Sequence, residues 1–333
     1  MLRRVALAYS GIYNQGRMDC DPRRDTALGA PVRAHVFQHT LRPLLASALS
    51  RSCLAVHATL VRLSLLVALA TGCASAFYYP THIQHHAPAE LGLDPENIYF
   101  QSTNGMQVHG WYFHAAQPKG VIVFFHGNGQ NLTSHFLHLG WVVQRGYDFL
   151  IFDYQGYGES AGEPTPENTV EDGKSAIAWT ASHHPELPLF VFGQSLGGAV
   201  TLRSVGELHH DIEIRAIVVD STFGSYQGMA AQVLSRHWLT WAFQWLGYVL
   251  LSDAKAPSGV LDRLPPTPLL VIHGDADETV DFALGQKLFE QAKGPKEFLR
   301  IPGGRHTDAL SREGGRYRED FLRFLDRALR LRN

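Results

Sequence analysis

A serine stands at the centre of Gly193-Gln194-Ser195-Leu196-Gly197. The apolar run Leu189-Phe190-Val191-Phe192 precedes it and the small-residue pattern Gly198-Ala199-Val200-Thr201-Leu202 follows. That order reads as strand, sharp turn and helix. A strained turn of this kind lifts the hydroxyl above a sheet, where a base reaches it, and aims the next N–H at a substrate oxygen. A lone G-x-S-x-G is a weak signal, because glycine and serine are common, and its bland reading is a structural turn. The strand before it and the helix after it make Ser195 a nucleophile candidate, with the Leu196 N–H as an oxyanion donor.

A serine hydroxyl attacks poorly near neutrality unless a general base takes its proton and an acid orients that base. Both types lie downstream, each just past an apolar run. Pro268-Leu269-Leu270-Val271-Ile272 leads into His273-Gly274-Asp275-Ala276-Asp277-Glu278, and Phe298-Leu299-Arg300-Ile301 leads into Pro302-Gly303-Gly304-Arg305-His306. Loops at the carboxyl ends of parallel strands are where open α/β sheets bind ligands. Asp220, at the end of Ala216-Ile217-Val218-Val219, is a third acid at such a position.

Five stretches resemble the α/β-hydrolase superfamily and, within it, the BEM46/YfhR-type serine hydrolases. They are Phe124-Phe125-His126-Gly127-Asn128-Gly129, Phe152-Asp153-Tyr154-Gln155-Gly156-Tyr157-Gly158-Glu159-Ser160, the serine turn, and the two downstream loops. The resemblance covers about residues 78 to 333. It implies a triad of Ser195, Asp277 and His306, with Asp277 preferred over Asp275 by its place three residues after Gly274. It also implies a second oxyanion donor at Asn128, where two N–H groups would each be worth on the order of 3 kcal/mol to the tetrahedral intermediate. His126 then braces the oxyanion loop. The serine excludes dehalogenase and epoxide hydrolase chemistry, which need an aspartate at that position in this fold.

The glycines of 153–158 lack the third glycine and the distant acid of a dinucleotide loop, so they read as a structural loop beside the site. His82, His85 and His86 lack any metal-binding spacing, and the pairs His183-His184 and His209-His210 sit in polar stretches and read as solvated. The hydrolysis needs no metal and no cofactor.

The chain has 29 basic and 31 acidic residues, unevenly placed. Residues 1–72 hold nine arginines, no lysine and three aspartates, which leaves 20 basic and 28 acidic residues in 73–333. An acidic domain carries no electrostatic footprint for nucleic acid. All three cysteines, Cys20, Cys53 and Cys73, precede residue 74, so the rest of the chain has no disulfide and no cysteine nucleophile.

Residues 1–50 show no sustained pattern and form an unassigned extension. Over 51–73, Arg51 and Arg62 flank Leu63-Ser64-Leu65-Leu66-Val67-Ala68-Leu69, and Ala70-Thr71-Gly72-Cys73 follows. This is the layout of a secretory signal, and the terminal cysteine resembles a bacterial lipoprotein signal with Cys73 as lipid attachment site. Ala70 departs from the usual leucine there, and an uncleaved anchor or a chance apolar stretch are the competing readings. The expected location is a membrane face towards the periplasm or cell exterior. Fifty residues ahead of such a signal point to a start near Leu54 or Val56.

The elements that must position these groups follow from pattern. Asn97–Gln101 and Gln107–Phe113 alternate around an Asn104-Gly105 turn and predict an antiparallel hairpin. Thereafter strands alternate with helices near 131–145, 168–182 and 196–207, which predicts a mostly parallel twisted sheet with helices on both faces. A closing helix is expected over 316–331. Between about 222 and 264 the rhythm breaks, and Trp238, Trp241, Phe243, Trp245 and Tyr248 crowd a helical stretch read as a small cap. Those aromatics either line an acyl pocket over the serine or form the cap's own core.

The expectation is therefore a serine hydrolase acting on small-molecule carboxylic esters or thioesters through an acyl-serine. An acylaminopeptidase-type amide hydrolase and an idle membrane-anchored binding protein are the alternatives.

Overall fold

In the computed structural model, residues 78–208 and 212–331 are described. The signal-like segment, Cys73 and the pair His209-His210 lie outside them. Eight strands form one sheet among the described residues: β1 (Glu96–Gln101), β2 (Gln107–Phe113), β3 (Val121–Phe125), β4 (Asp148–Phe152), β5 (Leu189–Gln194), β6 (Ile214–Asp220), β7 (Leu269–Gly274) and β8 (Lys296–Ile301). Their order is β1-β2-β4-β3-β5-β6-β7-β8. The hairpin expected from Asn104-Gly105 forms, with Ile98 opposite Gly110, and β2 runs antiparallel to β4. Every later pairing is parallel.

The central strands read as unbroken apolar runs because both faces of the sheet are covered. Alternate residues serve opposite faces. Val121, Val123 and Phe125 of β3 join one core with Val191 and Val219, while Ile122 and Phe124 join the other with Phe192 and Val218. The first face is covered by α2 (Pro166–His183) and α3 (Leu196–Glu207), through Ile177, Leu202 and Val205. The second is covered by α1 (Leu132–Leu139) and α7 (Arg318–Arg330), through Phe136, Phe321, Phe324 and Leu325. Each fully buried side chain of this size contributes about 1.5–3 kcal/mol. The stretch expected as one helix near 131–145 is divided. α1 passes into a 3-10 turn, Gly140–Arg145, which ends at Gly146 with φ 81°.

Two readings of the sequence need correction. His184, read as solvated, is half-buried just after α2 and stacks on Tyr112, whereas His183 is exposed as expected and lies on Trp179. The cap forms between β6 and β7 from α4 (Tyr226–Ser235), α5 (Leu246–Leu250) and two 3-10 turns, but its aromatics build no core. Trp238 is 81% exposed, and Trp241, Phe243, Trp245 and Tyr248 are all at least half exposed. A helix of ten residues followed by one of five offers too little surface to enclose them.

Candidate active site

β5 ends at Gln194, and Ser195 takes φ 55° and ψ −120° before α3 begins at Leu196. A side chain held at that backbone conformation costs about 1–3 kcal/mol, so the surroundings must enforce it. They do so through hydrogen bonds. Ser195 N–H donates to the Asp220 carbonyl at 2.8 Å, and the Ser195 carbonyl accepts from Thr222 Oγ1 at 2.7 Å and Gly198 N–H at 3.0 Å. They also do so through close approach. A Cβ on Gly197 would overlap the carbonyls of Phe125 and His126, and one on Gly193 would meet the backbone of Gly197 and Gly198. The flanking glycines are required by packing of α3 onto the ends of β3 and β5.

The turn presents Ser195 Oγ to His306 Nε2 at 2.9 Å, and His306 Nδ1 lies 2.8 Å from Asp277 Oδ2. Of the three acids considered, Asp277 is the one in contact with His306. Its carboxylate is buried, and its Oδ1 accepts the Thr279 and Val280 N–H groups at 2.8 and 2.9 Å. Burial works against the ionised carboxyl, but the His306 contact and the two N–H donors outweigh it and hold Asp277 below the usual carboxylate range.

Asp275 faces the other way. It takes Arg300 on Oδ2 and the Gly303 N–H on Oδ1, stapling the histidine loop from outside. Ala276 N–H bonds to the Gly304 carbonyl, so the two loops are zipped together between acid and histidine. Asp220 is buried against the Ser221 hydroxyl, with His138 Nε2 3.6 Å away.

The loop after β3 sits against the serine turn: a Cβ on Gly127 would lie 3.6 Å from Ser195 Cβ. Asn128 Oδ1 collects the Tyr79 N–H, the Gly129 N–H and the Tyr157 hydroxyl, which fixes that residue's backbone beside the serine. Among the described residues no carbonyl takes the Asn128 N–H. The Leu196 N–H opens α3, where the first turn has no intrahelical acceptor. His126 is buried, stacks on His135 and lies 3.4 Å from Asp153, a bracing position. The 153–158 loop supplies Tyr157 to Asn128. A cleft of about 390 Å³ on the other flank of Asp153, lined by His82, His109 and Trp111, includes none of Ser195, Asp277 and His306.

Three contributors were not singled out in the sequence. His135 bridges the Gln194 side chain (3.1 Å) and the Gly129 carbonyl (3.0 Å), tying the serine turn to the oxyanion loop. Thr222 holds the Ser195 carbonyl. Ser221, at φ 54°, accepts the Thr307 N–H at 3.0 Å and so fixes the residue after His306. None belongs to a short motif, and the only signal was their place just beyond strand or loop ends.

The arrangement can abstract a proton from Ser195 and stabilise the resulting imidazolium. The chain as a whole is similar to known proteins. The family model for serine aminopeptidase, S33, matches residues 116–261. The uncharacterized protein YfhR of Salmonella typhi is 35% identical over 273 residues, covering 77% of this chain and 88% of that protein. The esterase Pf2001 of Pyrococcus furiosus superposes with a TM-score of 0.61 at 19% identity, covering 75% of this chain and 97% of the esterase. A thermostable carboxyl esterase from Bacillus coagulans gives 0.55 at 17% identity, over 71% of this chain and 99% of that one.

Proposed function

The chain belongs to the α/β-hydrolase family of serine hydrolases, and from that premise we propose that it cleaves carboxylic esters, with thioesters as close chemical equivalents, through an acyl-serine intermediate. The observation that carries this reading is the unbroken relay from Ser195 Oγ through His306 to Asp277. His306 takes the hydroxyl proton as Ser195 attacks the carbonyl carbon, and the Leu196 and Asn128 N–H groups hold the oxyanion. The imidazolium then protonates the leaving alkoxide or thiolate, and the acyl-serine remains. In the second half His306 removes a proton from water, which attacks the acyl carbon; the carboxylic acid then leaves as the imidazolium returns the proton to Ser195 Oγ. Asp277 keeps Nδ1 protonated and offsets the imidazolium charge. Two of the structural neighbours are esterases by name, which supports an ester substrate, while another is an acylaminoacyl peptidase.

The family model's description favours a second reading, hydrolysis of amides at an amino-acyl group. Full-length protein assayed on p-nitrophenyl esters of increasing acyl length, beside aminoacyl p-nitroanilides, separates the two. Esters are expected to turn over and anilides not to. Ser195→Ala should lose about 10⁴-fold in kcat with the fold intact. Wild-type turnover in a folded Ser195→Ala protein would overturn the mechanism.

We further propose that Cys73 is lipidated and that the enzyme works on a membrane face. Among the described residues no helix is long and apolar enough to cross a membrane. Intact mass of the purified native protein tests the lipid: a chain beginning well before residue 73 with unmodified Cys73 would refute it.

A further inference from the structure

We propose that the aromatic face of the cap docks on a lipid bilayer and holds the carboxyl edge of the sheet, where Ser195 and His306 lie, against the membrane surface. Six large side chains form it: Trp238, Leu239, Trp241, Phe243, Trp245 and Tyr248, between 50 and 81% exposed. Six large apolar side chains this exposed within eleven residues of one segment are more than scattered surface hydrophobics, and such concentrations mark interaction sites.

The chemistry of the stretch selects a lipid surface. Between Asp220 and Asp253 there is no acidic residue, although residues 73–333 as a whole hold 28 acidic against 20 basic groups. The one formal charge in that interval, Arg236, is paired with Asp281. Anionic headgroups repel the rest of the domain and do not repel this face. Tryptophan and tyrosine carry an apolar ring with one polar atom, which suits the headgroup boundary of a bilayer.

Its placement is the second argument. Gln232 of α4 donates to the Thr279 carbonyl and accepts the Asp281 N–H, tying the cap to the loop that carries Asp277. The first described residues run over the same edge: Tyr79 N–H bonds to Asn128, and Pro80 pairs with Gln130. Cys73 and Tyr78 are five positions apart in the chain, a reach of at most about 18 Å. A lipid on Cys73 and an aromatic cap on the bilayer therefore engage the same edge. Resting on the ester-hydrolase reading, the substrate class is long-chain esters dissolved in the membrane, entering from beneath the cap.

The test uses full-length protein with vesicles of phosphatidylcholine and phosphatidylglycerol, some containing brominated phosphatidylcholine. Three of the chain's six tryptophans lie on the face, so bromolipid should quench a large part of the emission. Leu239→Ser/Phe243→Ser/Tyr248→Ser keeps every tryptophan and should lose most of that quenching. Trp238→Ser/Trp241→Ser/Trp245→Ser should keep soluble short-ester turnover and lose about 10-fold on a long-chain ester presented in vesicles. Vesicle-bound wild-type protein without quenching would show attachment by the N-terminal segment alone and overturn the proposal. So would a cap-dependent dimer in sedimentation whose tryptophans stay unquenched. Absent labelling of Ser195 by a fluorophosphonate, with quenching intact, would sink the hydrolase reading and leave the docking face standing.

Discussion

The serine turn and the cap lie on one edge of the sheet and differ in how far their surroundings determine them. At Ser195 the backbone is held by Asp220, Thr222 and Gly198, and the neighbouring glycines leave no room for a methyl group. In the cap, three tryptophans are 57 to 81% exposed. Residue size is therefore a poor guide to energetic weight. Near the serine, adding one carbon matters more than deleting a tryptophan from the cap, because packing cost follows the number of atoms displaced in a filled space.

Four measurements test that contrast. The largest effect is expected at the acid. Asp277→Asn should cost on the order of 10⁴-fold in kcat by leaving His306 in the wrong tautomer, whereas Asp275→Asn and Asp220→Asn in folded protein should cost far less. Should Asp275→Asn or Asp220→Asn prove the crippling change, the relay has been assigned to the wrong acid. Next, Gly197→Ala should destabilise the protein by about 3 kcal/mol or more in denaturant titration, since α3 cannot retreat from β3 without pulling on Ser195.

The third concerns His135, the bracket between the two loops. Burial, with His126 beside it, pushes its pKa down to about 3. The folded protein thus keeps the ring neutral where the unfolded chain, with an ordinary value near 6.5, takes a proton. Stability contributed by neutral His135 is present above that ordinary value and is lost as pH falls from it towards 3. His135→Gln should flatten the stability profile in that window by about 1.4 kcal/mol per pH unit, read from urea midpoints. An unchanged slope would show that His135 is protonated in the fold.

The smallest effect is expected in the cap. Trp241→Ser should move the unfolding free energy in water by no more than about 0.5 kcal/mol, because the ring leaves solvent for nothing. A loss of several kcal/mol would mean that the aromatics pack on something in the native protein.

Much of this was legible from pattern. Glycine-flanked Ser195 after an apolar strand, the Asn104-Gly105 hairpin and the alternating strands and helices are local signals, and local backbone physics decides them. His306 was readable as the one histidine on a loop just past the last strand. The choice between Asp275 and Asp277 rested on resemblance alone, because both lie in one loop of matching composition. His135 and Ser221 were invisible for a different reason. His135 and Gln194 are 59 residues apart, Ser221 and Thr307 86 apart, and only the sheet order brings each pair into contact.

The sequence by itself determined the serine turn and the layered α/β frame, since each depends on interactions within a few residues of chain. The tertiary structure alone decided which carboxylate meets His306: loop closure turns Asp277 inward onto Thr279 and Val280 and leaves Asp275 to Arg300. It alone decided, too, that the cap's aromatics face outward. Periodicity tells which side chains share a face, and only the area of the neighbouring elements tells whether anything is there to cover it.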